Sequence, residues 1–154
     1  MDTNDMQRSA DLARIVHYRR DLHRIPELGF DLDQTVAYVE DVLDGLACEV
    51  TRPCDSCVCA FFDAGADAGS TTAIRADMDA LPIEEATGAS FSSVHPGKMH
   101  ACGHDAHMAM ALAAAVYVDR VLREHPGELK RNVLFVFQPA EETTGGAKTV
   151  CESG

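Results

Sequence analysis

Residues 132–142 read NVLFVFQPAEE, and this stretch decides the fold. NVLFVF (132–137) is apolar without alternation, the pattern of a central strand covered on both faces, as in sheets layered with helices. Gln138-Pro139-Ala140-Glu141-Glu142 follows at the carboxyl end of that strand, where α/β proteins place their sites. Two adjacent carboxylates there diverge and can do separate jobs. One can ligate a metal while the other, kept off it, takes a proton from an activated water. The alternative is a solvated acidic turn before a helix, where Glu complements the helix dipole.

Working outward, Val58–Phe62 and Thr72–Ala76 are two further short apolar runs that read as strands. Between the second and third runs, a long loop leads into a helix from about Ala106 to His125. That helix carries Met108, Met110, Leu112, Val116, Val121 and Leu122, with small residues at Ala113–Ala115 for close packing. Strand, helix, strand in this order predicts an α/β layer with a right-handed crossover. Nearer the start, Leu12, Ile15, Val16, Tyr18 and Leu22 recur at helical spacing, with Ser9 as the expected cap and Pro26 as the stop. Asp33 to Leu43 repeats the signal, and Gly45 supplies a C-terminal cap. Asp63–Thr72 reads as an acidic, Gly-rich loop. A final helix starts after Gly145 and stops after barely two turns, which reads as a piece of a longer chain.

Composition narrows the function. The chain has 154 residues, suited to one domain, with 46% hydrophobic and 25% charged residues, as in a globular protein. Lys and Arg total 13 against 25 Asp and Glu, a net charge of −12. Such a surface repels phosphate backbones and anionic lipid, so neither nucleic acid nor membrane is the expected partner. No stretch approaches the roughly 18–20 consecutive apolar residues of a membrane span. The first residues show no secretory signal, and six cysteines without one suggest thiols or metal ligands in a cytoplasmic protein.

The densest polar cluster is His100-Ala-Cys102-Gly-His104-Asp105-Ala-His107. Thiolate and imidazole together suit zinc, cobalt, manganese or nickel. Cys102 and His104 are two apart, so an extended segment puts them on one side, and Gly103 frees the backbone to bend both toward one point. A loop with a capping Asp105 and solvent histidines is the alternative. Ile74-Arg75-Ala76-Asp77-Met78-Asp79 also ends a strand; Asp77 and Asp79 can orient a metal-bound imidazole, or serve an Asx turn before Pro82. Cys54-x-x-Cys57-x-Cys59 lacks a matching second pair and reads as strand thiols rather than a metal clip.

RRDLHRIPELGF (19–30), IRADMDALPIEE (74–85), MHACGHDAHMAMALAAA (99–115) and VFQPAEETTGGAK (136–148) together resemble metal-dependent amidohydrolases of the aminoacylase and carboxypeptidase G type. The branch that looks closest is that of hippurate hydrolases and indole-acetyl-amino-acid hydrolases. The resemblance implies an α/β fold, a three-layer sheet flanked by helices, of which residues 1–154 are an incomplete zinc-peptidase-like catalytic domain. It implies a site for two divalent ions (zinc, manganese, cobalt or nickel), with Cys102, His104 and Glu142 as ligands, Glu141 as general base, and Asp77 as a supporting carboxylate. Arg75 stands where sister branches carry a metal-binding His, which bears on the role of Asp77. The implied reaction is hydrolysis of the amide bond of N-acyl amino acids or related small amides. Family members continue past Gly154 with further His ligands and a lid domain, so the chain alone is expected to be inactive.

Two other readings compete. One is a non-catalytic fragment that stores metal or binds a partner chain, and its open sheet edge and uncovered apolar face would favour self-association into a homo-oligomer. A thiol hydrolase would use Cys102 as nucleophile with His104 or His107 as base, and would ignore chelators.

Overall fold

The computed structural model describes residues 3–65, 70–143 and 145–153. The chain starts with two helices, α1 (Thr3–Arg24) and α2 (Asp33–Leu43). Strands β1 (Glu49–Thr51), β2 (Val58–Phe62) and β3 (Thr71–Asp77) follow, then helix α3 (His104–Glu124), strand β4 (Asn132–Gln138) and helix α4 (Gly146–Ser153). The strands form one mixed sheet in the order β1-β2-β4-β3, flanked by helices. β4 runs antiparallel to β2, with Ala60 opposite Phe135, and parallel to β3, with Asp77 opposite Gln138.

The apolar run at 132–137 is thus a central strand, and β3–α3–β4 is the expected strand–helix–strand unit. Val133, Phe135 and Phe137 on β4 align with Val58, Ala60 and Phe62 on β2, and all six are buried with Met108, Leu112 and Ala115 of α3 and Val36 and Val39 of α2. The other face of β4, with Leu134 and Val136, is half-buried. Strand β1, absent from the sequence reading, has three exposed residues and so lacks a burial pattern.

Two expectations at the start of the chain need correction. Helix α1 begins at Thr3, so Ser9 lies inside it and caps nothing. Its apolar residues also divide: Ile15, Tyr18 and Leu22 turn inward, while Leu12 and Val16 stay 64% and 47% exposed. At 3.6 residues per turn, Leu12 and Val16 lie roughly 90–130° away from the buried stripe. The expected loop at Asp63–Thr72 includes 66–69, which lie outside the described residues.

The segment after α1 holds the site from behind. No side chain at the N-cap position of α2 caps the helix; the buried Glu27 does so instead. Its carboxylate accepts from the Thr35 N–H (2.8 Å), the Thr35 hydroxyl (2.9 Å) and the Gln34 N–H (3.2 Å). The same segment accepts backbone bonds from the site loops, Ala80 N–H to the Glu27 carbonyl at 2.7 Å and Ala140 N–H to the Gly29 carbonyl at 3.1 Å. Glu27→Ala is expected to destabilise the fold by about 2 kcal/mol, since capping loss alone costs that much in favourable cases. A denaturant midpoint indistinguishable from wild type would remove this role.

Candidate metal centre

Because β3 and β4 are parallel, their carboxyl ends emerge side by side, with Met78 N–H bonded to the Gln138 carbonyl at 2.9 Å. The first residue of α3, His104, starts at the same end, after Gly103 turns the chain in a left-handed conformation (φ 90°). A parallel pair plus a helix N-terminus is where an α/β fold gathers polar side chains.

Asp79, fully buried, organises this end. Its carboxylate oxygens accept from the backbone N–H groups of Glu141 (2.8 Å) and Glu142 (3.0 Å). Its carbonyl accepts from Nδ1 of the buried His104 at 2.7 Å. A carbonyl can only accept, so Nδ1 carries a proton, and in the neutral ring the lone pair is on Nε2. Nε2 faces both acids, 3.8 Å from Glu141 Oε2 and 3.9 Å from Glu142 Oε1.

One ligand atom each from Cys102, His104 and Glu142 lies within 4.8 Å of the others. Glu142 Oε1 is buried without a hydrogen-bond partner. A carboxylate oxygen, an imidazole nitrogen and a sulfur that converge, with one carboxylate oxygen buried and unpartnered, fit a divalent cation that displaces the thiol proton, since a buried orphaned acceptor is otherwise costly. The Glu142 hydrogen bond, partial burial, and the charges of Glu142, Glu141 and Asp77 all push the exposed Cys102 thiol up. That is the reverse of what a thiol nucleophile needs, and it weighs against the thiol-hydrolase reading.

Asp77 is in a different position from Asp79. Its carboxylate pairs with Arg75 (Nε–Oδ1 2.8 Å) and lies with His104 and His107 in a second trio within the same 4.8 Å. The hydrogen bond that orients the imidazole goes to the Asp79 carbonyl, while Asp77 lies close to the same ring. Nothing in DMD tells which Asp is buried; that depends on where β3 ends. Of the other histidines, His100 is buried and His107 exposed. Cys54, Cys57 and Cys59 belong to no such convergent trio among the described residues; only Cys59 lies in a strand, while Cys54 and Cys57 sit in the turn that leads into β2, so the reading of all three as strand thiols is corrected.

The turn after β4 is tightly constrained. Ala140 holds a positive φ (54°), unusual outside glycine, while buried and bonded to Gly29. A Cβ on Gly146 would come 2.0 Å from the Pro139 carbonyl, so only glycine lets α4 start against this turn.

Behind the trio, Asp105, on the first turn of α3, is fully buried and bridges to α1 through His23 Nδ1 (2.7 Å) and Arg19 Nε (2.9 Å) rather than capping a solvent loop. His23 Nε2 reaches Glu85 at 3.3 Å. Burial pushes Glu85 up, but the Ser93 N–H, the Thr87 hydroxyl and His23 outweigh it and hold the acid at about 2. Burial lowers His100 to about 4. Both groups have depressed folded values, so each stabilises the fold above its unfolded value and loses that contribution as pH falls toward the folded one. Stability is therefore expected to decline from about pH 6.5 to 4 through His100 and further toward pH 2 through Glu85. Glu85→Gln should flatten the lower limb alone in acid unfolding monitored by circular dichroism; an unchanged profile contradicts the pairing.

The match to known proteins follows this geometry. Residues 73–154 match the model described as peptidase family M20/M25/M40. A Rhodococcus jostii protein provisionally named glutamate–cysteine ligase 2-3 is 44% identical over 159 residues, covering 99% of this chain but 19% of its own length. N-acetyl-L-cysteine deacetylase of Bacillus subtilis is 40% identical over 154 residues, again covering 99% of this chain and 36% of the relative. A solved Bacillus subtilis structure, described as a dinuclear metal binding peptidase from the M20 family, superimposes with a TM-score of 0.86 at 40% identity, over 95% of this chain and 40% of that one. The chain thus spans between 19% and 40% of the length of these three proteins. The fold is that of these neighbours, and by its matched residues the chain belongs to peptidase family M20/M25/M40.

Proposed function

We propose that this chain is the amino-terminal part of the catalytic domain of a metal-dependent amidohydrolase acting on N-acyl amino acids. The observation that carries this is the convergence of Cys102, His104 and Glu142 on a common point, with Glu142 Oε1 buried and unpartnered. The deacetylase name of one relative and the dinuclear metal binding of another support the substrate class and a pair of divalent ions. Zinc, cobalt and nickel suit this donor set, manganese less well because thiolate is a soft ligand, and the native ion follows from metal analysis of purified protein.

Cys102, His104 and Glu142 would hold a divalent cation, which supplies Lewis-acid polarisation of the amide carbonyl and acidifies an attacking water. Glu141, directed beside it by the Asp79 carboxylate, takes the proton from the water as its oxygen attacks the carbonyl carbon. Glu141 then delivers that proton to the nitrogen as the C–N bond breaks, giving acid and amine. Asp79 keeps His104 in the tautomer that leaves Nε2 free.

Glu142→Gln is expected to lower affinity for cobalt or zinc in equilibrium dialysis by roughly 10- to 100-fold, at least the loss seen when a supporting partner is removed. Unchanged affinity would place the cation elsewhere and sink the reading.

A further inference from the structure

His104 has one uncommitted ring nitrogen, and the residue belongs to two sets of donors. Nδ1 is committed to the Asp79 carbonyl at 2.7 Å, and a neutral imidazole nitrogen binds one ion through one lone pair. Cys102 and Glu142 form one set with His104; Asp77 and His107 form the other. Resting on the metal-centre reading above, we propose that Asp77, His104 and His107 form a second cation position that competes with the Cys102–His104–Glu142 position for His104, so these residues hold one ion at a time.

The two positions differ in chemistry. The first offers sulfur, nitrogen and oxygen, and favours soft or borderline ions such as cadmium, cobalt and zinc. The second offers two imidazoles and one carboxylate, a harder set without sulfur that takes zinc or iron(II) and admits manganese more readily than the first. His107 is exposed and lines an open groove of about 330 Å³ with Ile74, Arg75, Met110, Ala111 and Ala114, giving room for water or a ligand to complete the coordination. Arg75 competes with a cation for the second position: its guanidinium pairs with Asp77 Oδ1 at 2.8 Å, and its side chain is half-exposed. The thiolate position therefore dominates in the wild-type chain, and the second fills when sulfur is removed or a hard ion is supplied.

Cobalt titration of the wild-type chain reads this directly, because sulfur coordination adds a near-ultraviolet charge-transfer band that nitrogen and oxygen ligands lack. The wild type is expected to bind one cobalt with the band. Cys102→Ser should still bind one cobalt, more weakly and without the band. Adding His107→Gln to Cys102→Ser should cut the remaining affinity by about tenfold or more, and adding Arg75→Gln instead should raise it. Cobalt binding by Cys102→Ser that ignores His107→Gln overturns the proposal, as does a wild type that binds two ions and loses one with His107→Gln. A wild type that binds cobalt without the band refutes Cys102 as a ligand and hence the reading of the first position, while the His107 arm still reports on the second. A measurement without variants covers poor folding of Cys102→Ser. Cadmium should protect Cys102 of the wild type from alkylation, followed by peptide mass, whereas saturating manganese should leave it reactive. Equal protection by both ions overturns the proposal.

Discussion

Glu141→Gln, made in an enzyme that carries this site complete, should keep its metal and lose turnover by about 10²- to 10⁴-fold, the usual contribution of a positioned acid–base group. Gln has nearly the same shape, and the Glu141 side chain is 39% exposed, so the change disturbs little packing. The backbone bond from residue 141 to Asp79 is unaffected, and Cys102, His104 and Glu142 are untouched. What disappears is the ability to take a proton from water and return it to the departing nitrogen. The check pairs kcat with metal content. Retained turnover at full metal occupancy removes Glu141 as the base, and lost metal moves it into the ligand set. Glu142→Gln should behave in the opposite way, losing metal and activity together, which separates the two neighbouring acids by experiment.

Asp79→Asn is expected to destabilise the fold by about 2–3 kcal/mol and to weaken metal binding, although Asp79 is not among the proposed ligands. The substitution conserves volume, so no cavity arises. It replaces one of the two oxygens that receive the Glu141 and Glu142 N–H groups with an amide that donates. One buried donor then faces another, with no water at hand, because the residue is fully buried. Any shift of this loop also moves the carbonyl that orients His104. Denaturant unfolding gives the stability and cobalt titration the affinity. A variant as stable as wild type with unaltered cobalt affinity would show that the 138–142 turn is held by Gly29 and the Pro139–Gly146 contact rather than by Asp79.

These cases show where sequence reading reached its limit. Val58–Phe62 and Asn132–Phe137 were legible because uninterrupted apolar runs have few alternatives; Thr72–Ala76, interrupted by Arg75, was legible only as a short segment bounded by a Gly-rich loop, and all three are strands. Asp33–Leu43 was legible because its apolar residues share one face and Gly45 ends it, with φ 75°. Ser9 misled because a hydroxyl residue before an apolar stripe resembles a cap whether or not the helix extends upstream. Glu27 shows the converse: the cap of α2 comes from several residues earlier, outside the local window in which capping patterns are recognised.

The site divides in the same way. Cys102, His104, Glu141 and Glu142 stood out because soft and acidic donors cluster at short spacing in two places, and chemistry leaves such clusters few uses. The order of the apolar runs with the intervening helix was enough for a sheet flanked by helices, since periodicity and chain order depend on neighbours along the chain. The strand–helix–strand order already implied a parallel crossover, but only the tertiary structure decided that β3 and β4 are direct neighbours in a register that brings residues 77–79 against 138–142. From that follow the burial of Asp79 rather than Asp77, the single free nitrogen of His104, and the two sets of donors facing it. Burial and convergence of this kind are set by contacts across dozens of residues, and no local pattern of side chains encodes them.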